Sequence, residues 1–237
     1  MLFRGVQLDI YFKMEVKLVA KTKGLGEYEG LGDNAIIAAV ARHGTLKDDV
    51  NGLIRYLVKN KHWSPLEHIY YTFKIETRRS ISAQIFRHKS MTFQEWSLRY
   101  SEPLGFEEID IRKEHPTNRQ SSTESFDPLV EGPFYPNDII EASKAIKYTL
   151  ESIEFLYNRL IAAGVAKECA RDILPLCTKT TIHVTGNLRS MLAFINIRND
   201  HHAQKEVRDI STAMGEELEK QVPEIFSKIN WREGMFM

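Results

Sequence analysis

The run Ile69-Tyr70-Tyr71-Thr72-Phe73-Lys74-Ile75-Glu76 leaves this chain few options. Its β-branched and aromatic residues suit a pleated strand and lose rotamer freedom in a helix. Residues 178–185 form a second β-branched run. Residues 14–22 alternate apolar and polar side chains, which also predicts a strand. Residues 96–101 predict one more, placing Glu95, Ser97 and Arg99 on one face. Elsewhere the period is helical. Small residues follow Asp33, read as an N-cap, through residue 42. Residues 46–60 put Val50, Leu53, Ile54, Leu57 and Val58 on one face. Ser64-Pro65-Leu66-Glu67 predicts a capping box with proline in the first turn. Helices are further expected over 80–88, 166–173, 187–203 and 206–229. The longest begins at Asp138, where Ile139, Ala142, Ile146, Leu150, Ile153, Tyr157 and Leu160 step by three or four. This mixture predicts one α+β domain over residues 1–237, a β-sheet flanked by long helices.

Two stretches resist assignment. Gly24, Gly26, Gly30 and Gly32 fit neither a dinucleotide nor a P-loop fingerprint, so a flexible connection is expected. Residues 102–136 carry five prolines and a polar run, expected as a lid, a binding loop or an insertion.

Composition narrows function. Lys plus Arg and Asp plus Glu both total 32, so the net charge is zero. A duplex-DNA binder needs a basic excess, so no nucleic-acid partner is expected. Cys169 and Cys177 match no zinc or redox spacing and read as free thiols of a reducing compartment. His183, His201 and His202 form no metal motif, so no metal is expected. Arg4, Asp9 and Lys13 break any leader-like apolar run, and no stretch reaches the ~20 apolar residues of a membrane span. A cytoplasmic protein is expected.

Cations recur in separate blocks. Arg87, His88 and Lys89 stand at an expected helix end, where the helix dipole alone would favour them. They equally suit an anion site, with Ser97 adding a hydroxyl donor. Asn187, Arg198 and His202 fall within roughly 60° of one another if their helix is continuous. Arg171, flanked by apolar residues, fits either a surface residue or a buried anion ligand.

Together these blocks resemble the signature of the flavin-dependent thymidylate synthases: Arg-His-Arg, seven residues, then Ser, with Glu two before that Ser and Arg-Tyr soon after. Arg87, His88, Glu95, Ser97, Arg99 and Tyr100 stand at those places. Further matches keep the same order: His62-x-Ser64-Pro65-Leu66-Glu67-His68, Gln84, Asn118-Arg119-Gln120, Ala170-Arg171-x-x-Leu174-Pro175, Asn187-x-Arg189-Ser190 and Arg198-x-x-x-His202-Ala203-Gln204. Lys89 replaces the third signature arginine, Thr92 and Gln94 stand where Ser and Asn are common, and Ala193 occupies a site where some members have a flavin-contacting Asn.

The resemblance implies the α+β fold of that family and a homotetramer with active sites between subunits. It implies FAD held by Ser64, Arg87, His88, Lys89, Glu95, Asn187, Arg189 and His202. It implies dUMP held by Gln84, Glu95, Ser97, Leu98, Arg99, Arg171 and Arg198. Arg198, Ser97 and His62 would stand at the chemistry: Arg198 against the uracil carbonyl, Ser97 on the phosphate, His62 near flavin and folate. The co-substrates implied are NADPH and 5,10-methylenetetrahydrofolate.

Overall fold

A computed structural model describes residues 14–45, 48–135, 137–234 and 236–237. Arg4, Asp9 and Lys13, the first two residues of the expected 46–60 helix, and Pro136 lie outside the described residues. The chain packs into two compact units. One, the sheet unit, comprises Met14–Glu76, Ala83–Gln94 and Ile182–Met237. The other, the hairpin unit, comprises Thr77–Ser82 and Glu95–Thr181.

Four strands, β1 (Glu15–Lys21), β2 (Tyr70–Arg78), β3 (Thr92–Glu95) and β8 (Lys179–Asn187), form a sheet in the order β1-β2-β8-β3. β1 and β2 run antiparallel, with Val16 opposite Ile75 and Leu18 opposite Phe73. Tyr71, Phe73 and Ile75 of β2 are fully buried, and so are Ile182 and Val184 of β8. Alternate strand side chains share one face, so these residues supply a continuous apolar surface. The helices of the sheet unit are α1 (Asp33–Ala41), α2 (Val50–Lys59), α6 (Leu188–Arg198), α7 (Lys205–Gln221) and α8 (Pro223–Phe226). Their buried faces include Ile36, Ile54, Leu57, Met191, Phe194, Ile210, Met214 and Phe226. Gly215 of α7 lies under the Trp231 ring, where a Cβ would stand 2.2 Å from the nearest ring carbon.

Several local expectations change. Gly32, not Asp33, precedes the first turn of α1. Asp33 is buried and accepts hydrogen bonds from the Tyr71 hydroxyl (2.6 Å) and the Lys21 ammonium (3.1 Å), so its carboxylate serves the core instead of a cap. Residues 64–68 form a 3-10 turn without a side-chain cap: Trp63, not Ser64, holds the N-cap position, and Glu67 pairs with Arg189. The glycine stretch is no loose tether: Gly26–Tyr28 form a 3-10 turn, and Gly24 packs against the Tyr28 carbonyl where any Cβ would clash. Helix 187–203 ends at Arg198, and residues 200–203 follow it as a turn. The last expected helix divides at Pro223 into α7 and α8, since proline has no N–H to continue the ladder.

The hairpin unit holds most of α3 (Arg79–Ile85), α5 (Lys167–Ala170) and a long helix, α4 (Ala142–Ala162). Residues 102–136 are not one loop. β4 (Arg112–Glu114) pairs with β5 (Ser122–Ser125), and β6 (Leu129–Glu131) pairs antiparallel with β7 (Ile139–Glu141). Ile139 therefore belongs to a strand, and α4 starts later than its periodicity suggests. Asp127 caps α4 from a distance, accepting from the Ser143 N–H (2.9 Å) and hydroxyl (2.5 Å).

Candidate functional site

The residues expected at the site divide between the units. In the sheet unit, a turn follows α3, with the Arg87 and His88 N–H groups donating to the Gln84 and Ile85 carbonyls. This turn presents Arg87, His88 and Lys89. The Arg198 Nη2, at the last residue of α6, donates to the Gln84 carbonyl at 3.1 Å. His88 meets the Phe194 ring edge-on, with centroids 5.6 Å apart. Burial pushes the Arg198 guanidinium below its ordinary pKa, and the nearby Arg87 charge adds to the effect. Burial likewise lowers the His88 imidazole, with Arg198 acting in the same direction and the Ser190 backbone opposing. The Nε of Arg198 and the Nε2 of His88 are buried without a hydrogen-bond partner among the described residues. Two like charges and two orphaned polar atoms are costly unless a ligand completes them.

Other expected residues of this unit stand in separate settings. Asn187 caps α6, its Oδ1 accepting from the Ser190 N–H at 2.9 Å. Its neighbour Arg189 pairs with Glu67 in the turn that carries Ser64. Lys89 is exposed and has no hydrogen bond or ion pair among the described residues. His62 packs edge-on against Tyr56, with centroids 5.9 Å apart. His202 stands outside α6, so one helix face does not gather Asn187, Arg198 and His202. Its Nδ1 lies 2.7 Å from the Asp200 Oδ1, and its ring lies 3.8 Å from that of His201. Asp200, His201 and His202 bring potential metal-ligand atoms within 4.8 Å of one another, a grouping different from the His183, His201 and His202 set weighed from sequence. The Asp200 oxygen already accepts from the His202 N–H at 2.7 Å.

In the hairpin unit, residues 96–101 form no strand. The Tyr100 and Ser101 N–H groups both donate to the Ser97 carbonyl, at 3.3 and 3.0 Å, which curls the segment into a turn. Leu98 is buried, leaving only its backbone for recognition. Arg99 is exposed, with Nη2 3.5 Å from a Glu168 carboxylate oxygen. The Arg171 Nε donates to the Glu168 carbonyl at 3.2 Å, and Lys167 donates to the Tyr100 carbonyl at 3.2 Å. Of these cations Lys167 reaches the turn itself, and nothing in the sequence marks it. Glu95 directs its carboxylate into its own unit, accepting from the hydroxyls of Ser82 (2.7 Å) and Thr180 (3.1 Å).

A family model described as thymidylate synthase complementing protein matches residues 25–224. This chain belongs to that family. A flavin-dependent thymidylate synthase from Synechocystis sp. is 33% identical over 223 residues, covering 92% of this chain and 100% of the relative. A probable flavin-dependent thymidylate synthase of Paramecium bursaria Chlorella virus 1 is 34% identical over 224 residues, with the same coverage. Among solved structures, PolB of Streptomyces cacaoi, a UMP/dUMP methylase bound with 5-Br UMP, matches with a TM-score of 0.74. It shares 23% identity and covers 94% of this chain and 96% of its own, so the likeness extends to the α+β fold.

Besides Lys167, the sequence reading passed over Arg79, Gln204 and Asp200. The Gln84 amide donates to Gln204, whose own amide donates to Glu206 at 3.0 Å, a chain that orients Gln84. Gln204 ends the last family block, and that position was its signal. Arg79 had none, because a basic residue opening a helix is ordinary on a surface.

Proposed function

We propose that this protein is a flavin-dependent thymidylate synthase, methylating dUMP to dTMP in the cytoplasm as a homotetramer of a single catalytic domain. One observation carries the reading. The cluster of Gln84, Arg87, His88 and Arg198 has two guanidiniums, two unsatisfied buried atoms and no carboxylate paired to either arginine among the described residues. Such a cluster suits a ligand bearing phosphate and conjugated carbonyls, as FAD and dUMP both do. The relatives carry the same functional name, and the structural neighbour acts on UMP and dUMP.

Arg87, His88, Lys89, Asn187 and Arg189, with Ser64 and His202, would hold FAD. Bound FAD, reduced by NADPH, supplies the hydride, and 5,10-methylenetetrahydrofolate supplies the carbon. The chain's own residues bind and polarise. Ser97, the backbone N–H of Leu98, Arg99 and Arg171 grip the dUMP phosphate. Gln84 and Arg198 address the base, and the Arg198 charge stabilises the negative charge that develops on the uracil carbonyl. Ser97 is a phosphate ligand here, since among the described residues no base is placed to make it a nucleophile. His62 borders the flavin and folate. Glu95 acts through its neighbours, its carboxylate being engaged within the chain.

The assembly reading has separate support. Tyr148, Phe155 and Leu156 of α4 are exposed, as are Phe134, Tyr135 and Ile139 before it. A groove of about 570 Å³ runs between Pro133, Phe134, Tyr135, Asp138 and Ile140 and the α4 side chains Tyr148 and Phe155. It holds none of the candidate site residues. Apolar surface of this kind marks an interface.

The test is spectroscopic and catalytic together. Purified protein should be yellow and form dTMP from dUMP. Arg87→Ala should remain folded yet colourless, and Lys89→Ala should bind FAD more weakly, more so at low salt. Full flavin occupancy in Arg87→Ala would sink the assignment. Mixing Arg87→Ala with Arg198→Ala should restore some turnover if one site draws on two subunits.

A further inference from the structure

Arg79 opens α3, two residues past the buried Thr77. Its backbone N–H donates to the Thr178 carbonyl at 3.0 Å. Its side chain reaches two further groups: Nη1 lies 3.2 Å from the Glu95 Oε2, and Nη2 donates to the Trp96 carbonyl at 2.9 Å. The hydroxyls of Ser82 and Thr180 donate to the other Glu95 oxygen. The Trp96 N–H donates to the Thr181 carbonyl at 2.9 Å. Both backbone polar groups of Trp96 are therefore held, one residue before Ser97 begins the turn. The Arg79 Nε is buried without a partner among the described residues, so the side chain is held through its two terminal nitrogens.

We infer that Arg79 is a positioning residue for the phosphate-binding turn of residues 97–99, fixing where the turn begins by gripping Glu95 and the Trp96 carbonyl at once. The inference rests on the assignment of that turn to the nucleotide phosphate proposed above. A planar guanidinium reaches two acceptors in fixed directions, whereas a lysine ammonium is a single point charge on a flexible stem. The charge of Glu95 keeps the fork in place, and the two hydroxyls keep Glu95 in place. A shift of about an ångström at the turn would spoil the aim of Ser97 and Arg99 at a phosphate.

The experiment is a calorimetric titration of flavin-loaded protein with dUMP and, separately, with deoxyuridine, which lacks the phosphate. Arg79→Lys should weaken dUMP roughly tenfold, equivalent to ~1.4 kcal/mol, and leave deoxyuridine within about twofold. Glu95→Gln, which keeps the shape and the hydroxyl partners, should reproduce the defect. Combining the two should add little, because both break one interaction. Equal losses for the two ligands overturn the inference, since a general structural role would cause them. Parental dUMP affinity in Arg79→Lys and Arg79→Ala overturns it too, and if Arg79→Ala does not fold, Arg79→Lys decides. Arg99→Ala separates the two possible failures. If it alone weakens dUMP, Arg79 has no positioning role. If it also leaves dUMP unaffected, the phosphate assignment of the turn fails, and the inference with it.

Discussion

The two units of this chain bury their apolar residues very differently. The sheet unit encloses Tyr71, Phe73, Ile182, Met191, Phe194, Met214 and many others at or near zero exposure. The apolar residues buried in the hairpin unit, among those described, are Ile81, Leu98, Ala142, Tyr157, Ala170 and Cys177. Its 21-residue helix α4 buries only Ala142 and Tyr157, while Tyr148, Phe155 and Leu156 remain exposed. A helix of that length draws most of its stability from packing, not from propensity. The sheet unit therefore has a core of its own, and the hairpin unit leaves apolar side chains of its long helix exposed. The proposed site residues divide along the same line. The aromatic and guanidinium cluster sits on the well-packed body, and the phosphate turn sits in the unit with the sparser core.

The comparison breaks first at Phe73 and Phe155. Phe73→Ala should destabilise by ~3–5 kcal/mol, because a fully buried ring is lost and a cavity remains. Phe155→Ala, at a residue 63% exposed, should change monomer stability by less than about 0.5 kcal/mol. Chemical denaturation of dilute protein measures both. Repeating it at high concentration sharpens the contrast. If the α4 groove joins subunits, Phe155→Ala becomes destabilising there, and sedimentation shows a smaller species. Equal losses at both residues under dilute conditions would mean the two units are alike after all.

The second expected effect falls inside the sheet unit and separates its core from its site. Arg198 contributes a charge that burial and Arg87 both disfavour, with its Nε unsatisfied. Removing an uncompensated half-buried charge relieves the folded state. Arg198→Met should therefore raise the thermal midpoint of ligand-free protein, by the equivalent of ~1 kcal/mol. The same change should lower kcat by roughly 10²–10³, the usual loss of a donor aimed at developing charge. A melting curve and a turnover assay on one preparation suffice. A variant that loses both stability and activity would place Arg198 in the structural framework.

Much of the sheet unit was legible in the sequence, for a physical reason. β2 and β8 are β-branched runs with alternating burial, and no competing structure uses that pattern well. Elsewhere the sequence was less legible, because particular hydrogen-bond and pairing partners, not residue pattern, set the local structure. Residues 96–101 alternate like a strand, yet the Ser97 carbonyl collects two N–H groups and folds them into a turn. Ile139 fits the periodicity of α4 but pairs with Glu131 across a hairpin. Ser64 and Glu67 spell a capping box, but Trp63 holds the N-cap position and Glu67 pairs with Arg189. The site was legible as residue types at fixed spacings. Spacing could not reveal that Glu95 is occupied by Arg79, Ser82 and Thr180, since those partners come from two other segments.

The smallest expected effect is a dependence of stability on pH. Burial, reinforced by the Arg198 charge, holds His88 neutral below the ordinary histidine pKa. An unfolded histidine takes up a proton near 6.5. Between the folded and unfolded values the unfolded chain binds more protons, so stability rises with pH in that interval. The contribution is complete above about 6.5 and is lost as pH falls through the folded value, at ~1.4 kcal/mol per unit of displacement. Lowered carboxylates are the opposite kind of group, and those at the surface, screened by solvent, contribute little each. Hydrogen bonding from Lys113 lowers Glu124 to about 2, and the Ser143 hydroxyl and N–H lower Asp127. Their contribution is present above the ordinary carboxylate range and is lost as pH falls through the lowered values. Acid should thus act in two stages, the His88 stage first. Thermal midpoints of ligand-free protein recorded from about pH 7.5 down to about pH 3 would resolve them, each stage following the group that titrates there. His88→Gln should flatten the upper stage and leave the lower one intact. An unchanged slope in that variant across the upper stage would show that protonation of His88 costs the fold nothing, and with it that the cluster around Arg198 tolerates a third positive charge.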